Sequence, residues 1–415
     1  MTIAQQHSID HKQSIGEWIN WLADYGKTED GGVTRLLYSE SWKQAQLSLQ
    51  QVMIQNSFAV RFDEVGNLFA RYAGTAEPGS IILTGSHIDT VQNGGKFDGA
   101  YGVLASLIAA HQLYVQHGPP KKTIEVVSLA EEEGSRFPFT FWGSKWITGQ
   151  STLAEARELV DSDGISLQQA MVDAGFGEPV PQAEVKESIE AFIELHIEQG
   201  ILLEKKQKDV GIVSDIVGQR RYTVQFTGES NHAGTTPMSM RKDALRLAAE
   251  FITYITDQSE QLDPSLVATI GRLSVSPNMP NVIAGGVECS LDVRHADSEL
   301  LDQFEDIVDQ FMQTAKQKKM EMQLDCWLKI EPVHLSDRHV EIAYKQARAL
   351  GLSYEKMVSG AGHDAQVFGA TCPTTLLFVP SKNGISHSPE EWTDTAALEK
   401  GVELLKSQLY ALAYE

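Results

Sequence analysis

The sequence is short of three things: cysteine, long apolar runs and basic charge. Its cysteines are Cys289, Cys326 and Cys372, widely spaced and outside any CxxC pattern. That argues against a disulfide framework or a thiolate zinc site, and small buried thiols are expected instead. No apolar run reaches about 18 residues, so no membrane-spanning helix is expected. The opening residues, MTIAQQHSIDHKQ, lack a basic stretch followed by an apolar one. No secretory leader is read there, and a cytoplasmic protein is the expectation. Lysine and arginine total 34 against 56 acidic residues, a formal charge of −22. Such a chain is a poor partner for nucleic acid or an anionic membrane, although local arginines can still dominate a pocket for a small anion.

The chain has 415 residues, of which 42% are apolar and 22% charged, the composition of a globular protein of two domains. Strand-like runs FAVRF, IILTGSHID, KTIEVVSLAEEEG and SIEAFIELHIEQG follow a first helical run, SIDHKQSIGEWINWLADYG. An apolar helix, AYGVLASLIAAHQLYVQHG, separates the second and third strands. This alternation predicts an α/β domain with a mixed, mostly parallel sheet flanked by helices. Near Val210 the pattern changes. RYTVQFTG, ATIGRLSVS and ECSLDVRH alternate with period two, interleaved with amphipathic helices over 242–258 and 297–317. These features predict an inserted α+β domain with an antiparallel sheet. Beyond about residue 335 the α/β pattern resumes, with a helix over 338–350, the strand PTTLLFVPS and a terminal helix over 395–412. The expected division is 1–213 with 330–415, and 214–329 inserted.

Histidines and acids collect in five glycine-flanked pieces where strands hand over to loops: GSHIDT, GGKFDG, EEEG, ELHIEQG and GISHS. In open α/β sheets, ligands bind outside the carboxyl ends of strands. Two divalent cations held close together repel, and a shared carboxylate with histidine and carboxylate partners reduces that repulsion. His87, Asp98, Glu133, His196 and His387 supply such a set. Asp89, two residues after His87, is placed to hold the other imidazole nitrogen. On an extended backbone Glu132 and Glu133 point to opposite sides, so one binds metal while the other serves as general base.

Taken in order, GSHIDTVQNGGKFDGAYGVL, AEEEGSRFPFTFWGSK, ELHIEQG, GESNHAGTTPM, DVRH, SGAGHDA and GISHSP resemble the amidase (hydantoinase/carbamoylase) branch of the two-metal aminoacylase-type metallopeptidases. Within it, VGQRRYTVQFTGESNHAGTTPM is most similar to the allantoate amidohydrolases, because relatives acting on carbamoyl amino acids usually carry a non-basic residue at Arg220-Arg221. The resemblance implies two divalent ions, zinc or manganese first and cobalt or nickel as alternatives, on His87, Asp98, Glu133, His196 and His387, with Asp98 shared. It implies Glu132 as base, leaving Glu131 outside the pair, and His232 as oxyanion donor reaching into a partner subunit. Arg294 and Asn281 would hold a substrate carboxylate, and Gln199 would contact a ureido group. Gln219 and the Gly360-Ala361 backbone complete the substrate set, while His363 reads equally as a structural residue. The implied partners are a small carboxylated ureido compound and a second copy of the chain, met through an inserted lid and dimerisation domain with hinges near 213–219 and 329–335. An N-carbamoyl amino acid or β-ureidopropionate as substrate, and a non-catalytic metal-binding protein of this fold, stay open.

Overall fold

A computed structural model describes residues 9, 13–179 and 188–415. Most of the N-terminal segment read for a leader lies outside the described residues, as do Ser8 and residues 10–12 of the first helical run. That helix is Ile15–Ala23, opened by Ser14, whose hydroxyl and backbone trade hydrogen bonds with Glu17.

The chain divides into two compact units. The first comprises Met1–Ser214, Leu335–Met357 and Ala361–Glu415; the second comprises Asp215–His334 and Val358–Gly360. In the first unit the sheet order is Ala59–Phe62, Leu68–Tyr72, Lys122–Leu129, Glu77–His87, Ser188–Ile197, Thr374–Val379, Val210–Ile216. The sheet is mixed. Its four central strands run parallel, and the strands on either side pair antiparallel. The central strands are buried on both faces at their carboxyl ends, which is why they read as continuous apolar runs rather than alternating ones. Helix Ala100–His117 is buried from Ala100 through Ala110, packed on Glu77–His87 and the terminal helix Thr395–Ala413, and reaches solvent at its last turn. All four central strands end on the same edge, and the polar loops that follow them gather there.

The second unit is an antiparallel sheet ordered Glu321–Ile330, Gly218–Thr227, Gly286–His295, Val267–Thr269, with Leu273–Ser276 also on Gly286–His295. Strict alternation along Gly286–His295 turns Val287, Cys289, Leu291 and Val293 inward. They meet helices Ala244–Leu262 and Ser298–Gln317 in a core containing Phe226, Phe251, Phe304 and Phe311. Asp243 and Asp297 cap these helices by accepting backbone N–H groups of the first turn.

Two sequence expectations need correction. ATIGRLSVS is not one strand: Val267–Thr269 and Leu273–Ser276 pair with opposite ends of Gly286–His295, their registers differ by one residue, and residues 270–272 between them are not strand. Of the three thiols, Cys289 is buried but Cys326 is exposed and Cys372 half-buried. Among the described residues the Cys326 strand, Glu321–Ile330, pairs with one neighbour only, and most of its residues face solvent. Among the described residues no helix is long and apolar enough to cross a membrane.

Candidate active site

His87 is the last residue of its strand and His196 the next to last of a parallel neighbour, so the two rings stand side by side, their centroids 6.1 Å apart. Each ring is fixed through Nδ1. His87 Nδ1 donates to the Asp89 carbonyl at 3.1 Å and lies 3.3 Å from Asp89 Oδ1; His196 Nδ1 donates to the Ile197 carbonyl at 2.8 Å. A carbonyl can only accept, so in the neutral rings each Nε2 carries a lone pair, and that of His196 accepts the Gly99 N–H at 3.1 Å. Both point at Asp98 Oδ1, at 3.7 Å for His87 and 3.1 Å for His196. The other carboxylate oxygen, Oδ2, lies 3.2 Å from His387 Nε2, which in turn is 3.6 Å from Glu133 Oε2.

Among the described residues two groups of potential ligands result, His87–Asp98–His196 and Asp98–Glu133–His387, each with its donor atoms within 4.8 Å of one another. Asp98 belongs to both. Imidazole nitrogens and carboxylate oxygens with a carboxylate in common fit a pair of zinc- or manganese-like ions. The structure thus carries a two-metal hydrolase site of the expected donor chemistry.

The electrostatics agree. Burial raises Asp98, but hydrogen bonds to His196 and His387 and the charges of His196 and His87 outweigh it and hold the carboxylate well below its usual range. Burial likewise opposes charge on His87, yet Asp89, Glu132 and Asp98 lift it well above an ordinary histidine. The hydrogen bond to Asp98 carries His387 to about 9. Burial and the facing Asp98 push Glu133 up to about 8. Glu132 is pushed well above the carboxylate range, by burial first and then by Glu133, Asp364 and Asp98, with His87 opposing. So many acids around so few cations is the signature of a functional site.

Glu132 and Glu133 do not lie on extended backbone. The strand ends at Leu129 and both residues sit in bends beyond it, so pleating does not send their side chains to opposite faces. Asp89 shapes that bend: its carboxylate accepts the backbone N–H of Glu132 at 3.2 Å and of Glu133 at 3.1 Å. It therefore ties the His87 loop to the acidic loop as well as facing the imidazole. Glu131 is buried, with Oε1 accepting the Ser135 N–H.

Gln199 and His387 both adopt left-handed backbone, φ +54 in each, a conformation uncommon outside glycine. Gln199 Nε2 donates to Asp98 Oδ2 at 2.9 Å and to Ser386 Oγ at 3.2 Å. His363 is buried, its ring edge-on to His196 at 4.6 Å, and burial with His196 nearby holds it well below an ordinary histidine.

Sequence reasoning missed Glu391 and Arg35. Glu391, only 3% exposed, accepts the backbone N–H of Phe97 at 2.9 Å and Asp98 at 3.2 Å on Oε1, and the Ser386 hydroxyl on Oε2 at 2.8 Å. In SPEEW it looks like part of an acidic surface turn, and its nearness to His387 was the one available signal. Arg35, also buried, donates to the carbonyls of Leu22, Tyr25 and Ile88, pinning the residue between His87 and Asp89.

In the second unit His232 is exposed, and its Nδ1 accepts the Gly234 N–H at 3.0 Å. The neutral ring then carries its proton on Nε2. Asn281 is exposed, and its carbonyl accepts the Ala233 N–H, tying it to the His232 loop. Gln219 is buried opposite Arg294 in register. Arg294 Nη1 donates to the Gly360 carbonyl at 2.8 Å.

The profile of peptidase family M20/M25/M40 matches residues 83–411. An allantoate amidohydrolase of Bacillus subtilis is 49% identical over 411 residues, covering 99% of this chain and 100% of the relative. One from Escherichia coli is 42% identical, over 97% and 98% of the two chains. The crystal structure of an amidase of the hydantoinase/carbamoylase family from Burkholderia multivorans superposes with a TM-score of 0.92 at 34% identity, covering 97% of each chain. The chain belongs to peptidase family M20/M25/M40, in its hydantoinase/carbamoylase branch.

Proposed function

We propose that the chain hydrolyses a ureido C–N bond of allantoate, giving ureidoglycine, ammonia and carbon dioxide. It is a ureido-bond-hydrolysing two-metal amidohydrolase. The observation that carries the reading is Asp98, whose two oxygens serve two ligand groups beside an unshared acid, Glu132. His87, Asp98, Glu133, His196 and His387 would hold two divalent ions, which would supply polarisation of the ureido carbonyl and acidify a water. Glu132 takes the proton of the attacking water and passes it to the leaving nitrogen. His232, with Nε2–H free to donate, sits at the carbonyl oxygen as charge develops there, supplied by the second copy in a homodimer. Arg294 and Asn281 hold the carboxylate, the guanidinium fork matching its two oxygens. Gln199, Gln219 and the Gly360-Ala361 backbone receive the ureido groups.

The 49% identity to an allantoate amidohydrolase favours this substrate over a carbamoyl amino acid. On this reading the chain takes part in purine breakdown, as a cytoplasmic enzyme. The second unit acts as lid and dimerisation domain. The test is ammonia release from metal-stripped protein resupplied with manganese or zinc, with allantoate, N-carbamoyl-L-amino acids and β-ureidopropionate in parallel. Fastest metal-dependent release from allantoate is expected. Preference for a carbamoyl amino acid overturns the substrate and keeps the chemistry; silence on all three contradicts the catalytic reading.

A further inference from the structure

Arg220 and Arg221 are adjacent in sequence but not in role. Pleating sends consecutive residues of strand Gly218–Thr227 to opposite faces. Arg220 goes to the packed face with Tyr222, Val224 and Phe226, only 1% exposed. There Nη1 donates to the Ile330 carbonyl at 2.7 Å and Nη2 to Glu331 at 2.8 Å, with Glu305 3.7 Å from Nε. Its bonds are all to the second unit's own framework.

Arg221 goes to the open face, where register sets it directly opposite Asp292. Its Nε donates to Asp292 Oδ2 at 2.8 Å. Two residues along the same strand, Arg294 reaches the same carboxylate, Nε to Oδ1 at 2.9 Å and Nη2 to Oδ2 at 3.1 Å. One acid thus holds two guanidiniums. Burial opposes charge on Asp292, but the two arginines more than compensate and keep it below the usual carboxylate range.

The charge count decides what this does. Asp292 and Arg294 alone form a bidentate, formally neutral pair with little attraction for another anion. With Arg221 on the shared oxygen, the cluster carries one uncompensated positive charge. Arg294 is also held in one direction, its Nη1 beside the Gly360 carbonyl. Resting on the reading of Arg294 as the group that binds the substrate carboxylate, we infer that Arg221 is a positioning and charge-setting residue: by sharing Asp292 it keeps Arg294 oriented and leaves one positive charge uncompensated toward a carboxylated substrate. Arg220 has no part in recognition.

The test is steady-state kinetics of the metal-loaded protein on allantoate, with thermal melting to establish that each variant folds. Arg294→Gln is expected to raise KM about 100-fold, and Arg221→Gln about 10-fold with the effect on KM rather than kcat. Arg221→Lys, which keeps the charge, is expected within about threefold of the parent. The deciding variant is Arg221→Gln with Asp292→Asn, which restores the single positive charge and is expected to recover most of the lost KM. A merely structural Arg221 would not be rescued by discharging Asp292. An unchanged KM in Arg221→Gln, or no recovery in the double variant, overturns the inference while Arg294→Gln still shows its effect. An unchanged KM in Arg294→Gln removes the carboxylate reading itself, and the inference with it.

Discussion

Asp98 meets two demands at once, and its surroundings show how. It stays ionised although buried, and it keeps both oxygens turned to different partners. Glu391 holds the backbone of Phe97 and Asp98 from behind, while Gln199 and Ser386 link that carboxylate to the His387 loop. A Cβ on Gly95 would stand 2.0 Å from Glu391 Oε1, so the glycine in GGKFDG makes room for this support. Replacing Glu391 with Ala strands two buried N–H groups, and we expect metal affinity to fall about 10- to 100-fold by calorimetry. Affinity equal to the parent would leave Glu391 a packing residue. The ligands themselves give a pH dependence with a definite sign. With no ion bound, Glu133 near 8 and His387 near 9 hold protons at neutral pH, and binding a cation displaces them. Metal affinity should therefore rise with pH toward 9, and calorimetry in buffers of different ionisation enthalpy should record proton release. Flat affinity over that range would contradict the assignment.

At the scale of elements, the site depends on how strands end. Helix Ala100–His117 starts immediately after Asp98, and Gly99 makes the turn with φ +59. A Cβ there would lie 2.4 Å from the His87 ring. Gly99→Ala is predicted to cost about 1–3 kcal/mol in backbone strain and steric displacement, and to weaken metal binding by moving His87. A Gly99→Ala protein with unchanged melting temperature and metal content would refute that local account. The handovers from strand to loop were legible because glycine and histidine cluster after buried runs. The helices of the second unit were legible too, since an amphipathic stripe reports its face; the observed Ala244–Leu262 and Ser298–Gln317 lie close to the ranges read. ATIGRLSVS misled because alternation shows a strand's face but not which part of its neighbour it pairs with. Glu132 and Glu133 misled because nothing local reveals that a carboxylate 43 residues away, on Asp89, bends their backbone. Glu391 and Arg35 stayed hidden for the same reason, since each works through backbone groups distant in sequence.

For the whole molecule, the proposed chemistry divides between two compact units. Unit one carries the potential metal ligands and the proposed base Glu132; unit two carries His232, Asn281 and Arg294, proposed to act on the substrate. The proposed dimer predicts twice the chain's 45.8 kDa mass by light scattering. A monomer at assay concentration would remove the trans-subunit role of His232. Because ions bind the folded protein and cancel repulsion among its buried acids, stripping them should lower the melting temperature. At a free-metal excess of about 1,000 times Kd the linkage is about 4 kcal/mol, a shift of several degrees by scanning calorimetry. An unchanged melting temperature would deny the coupling. The most direct test is one titration of the stripped protein with manganese or zinc, following bound metal and ammonia release from allantoate together, in the parent and in Glu132→Gln. Two ions per chain are expected in both proteins, with activity appearing as the sites fill in the parent and lower by about 1,000-fold or more in the variant. Full activity at one ion per chain, or a Glu132→Gln protein as fast as the parent, would contradict this expectation.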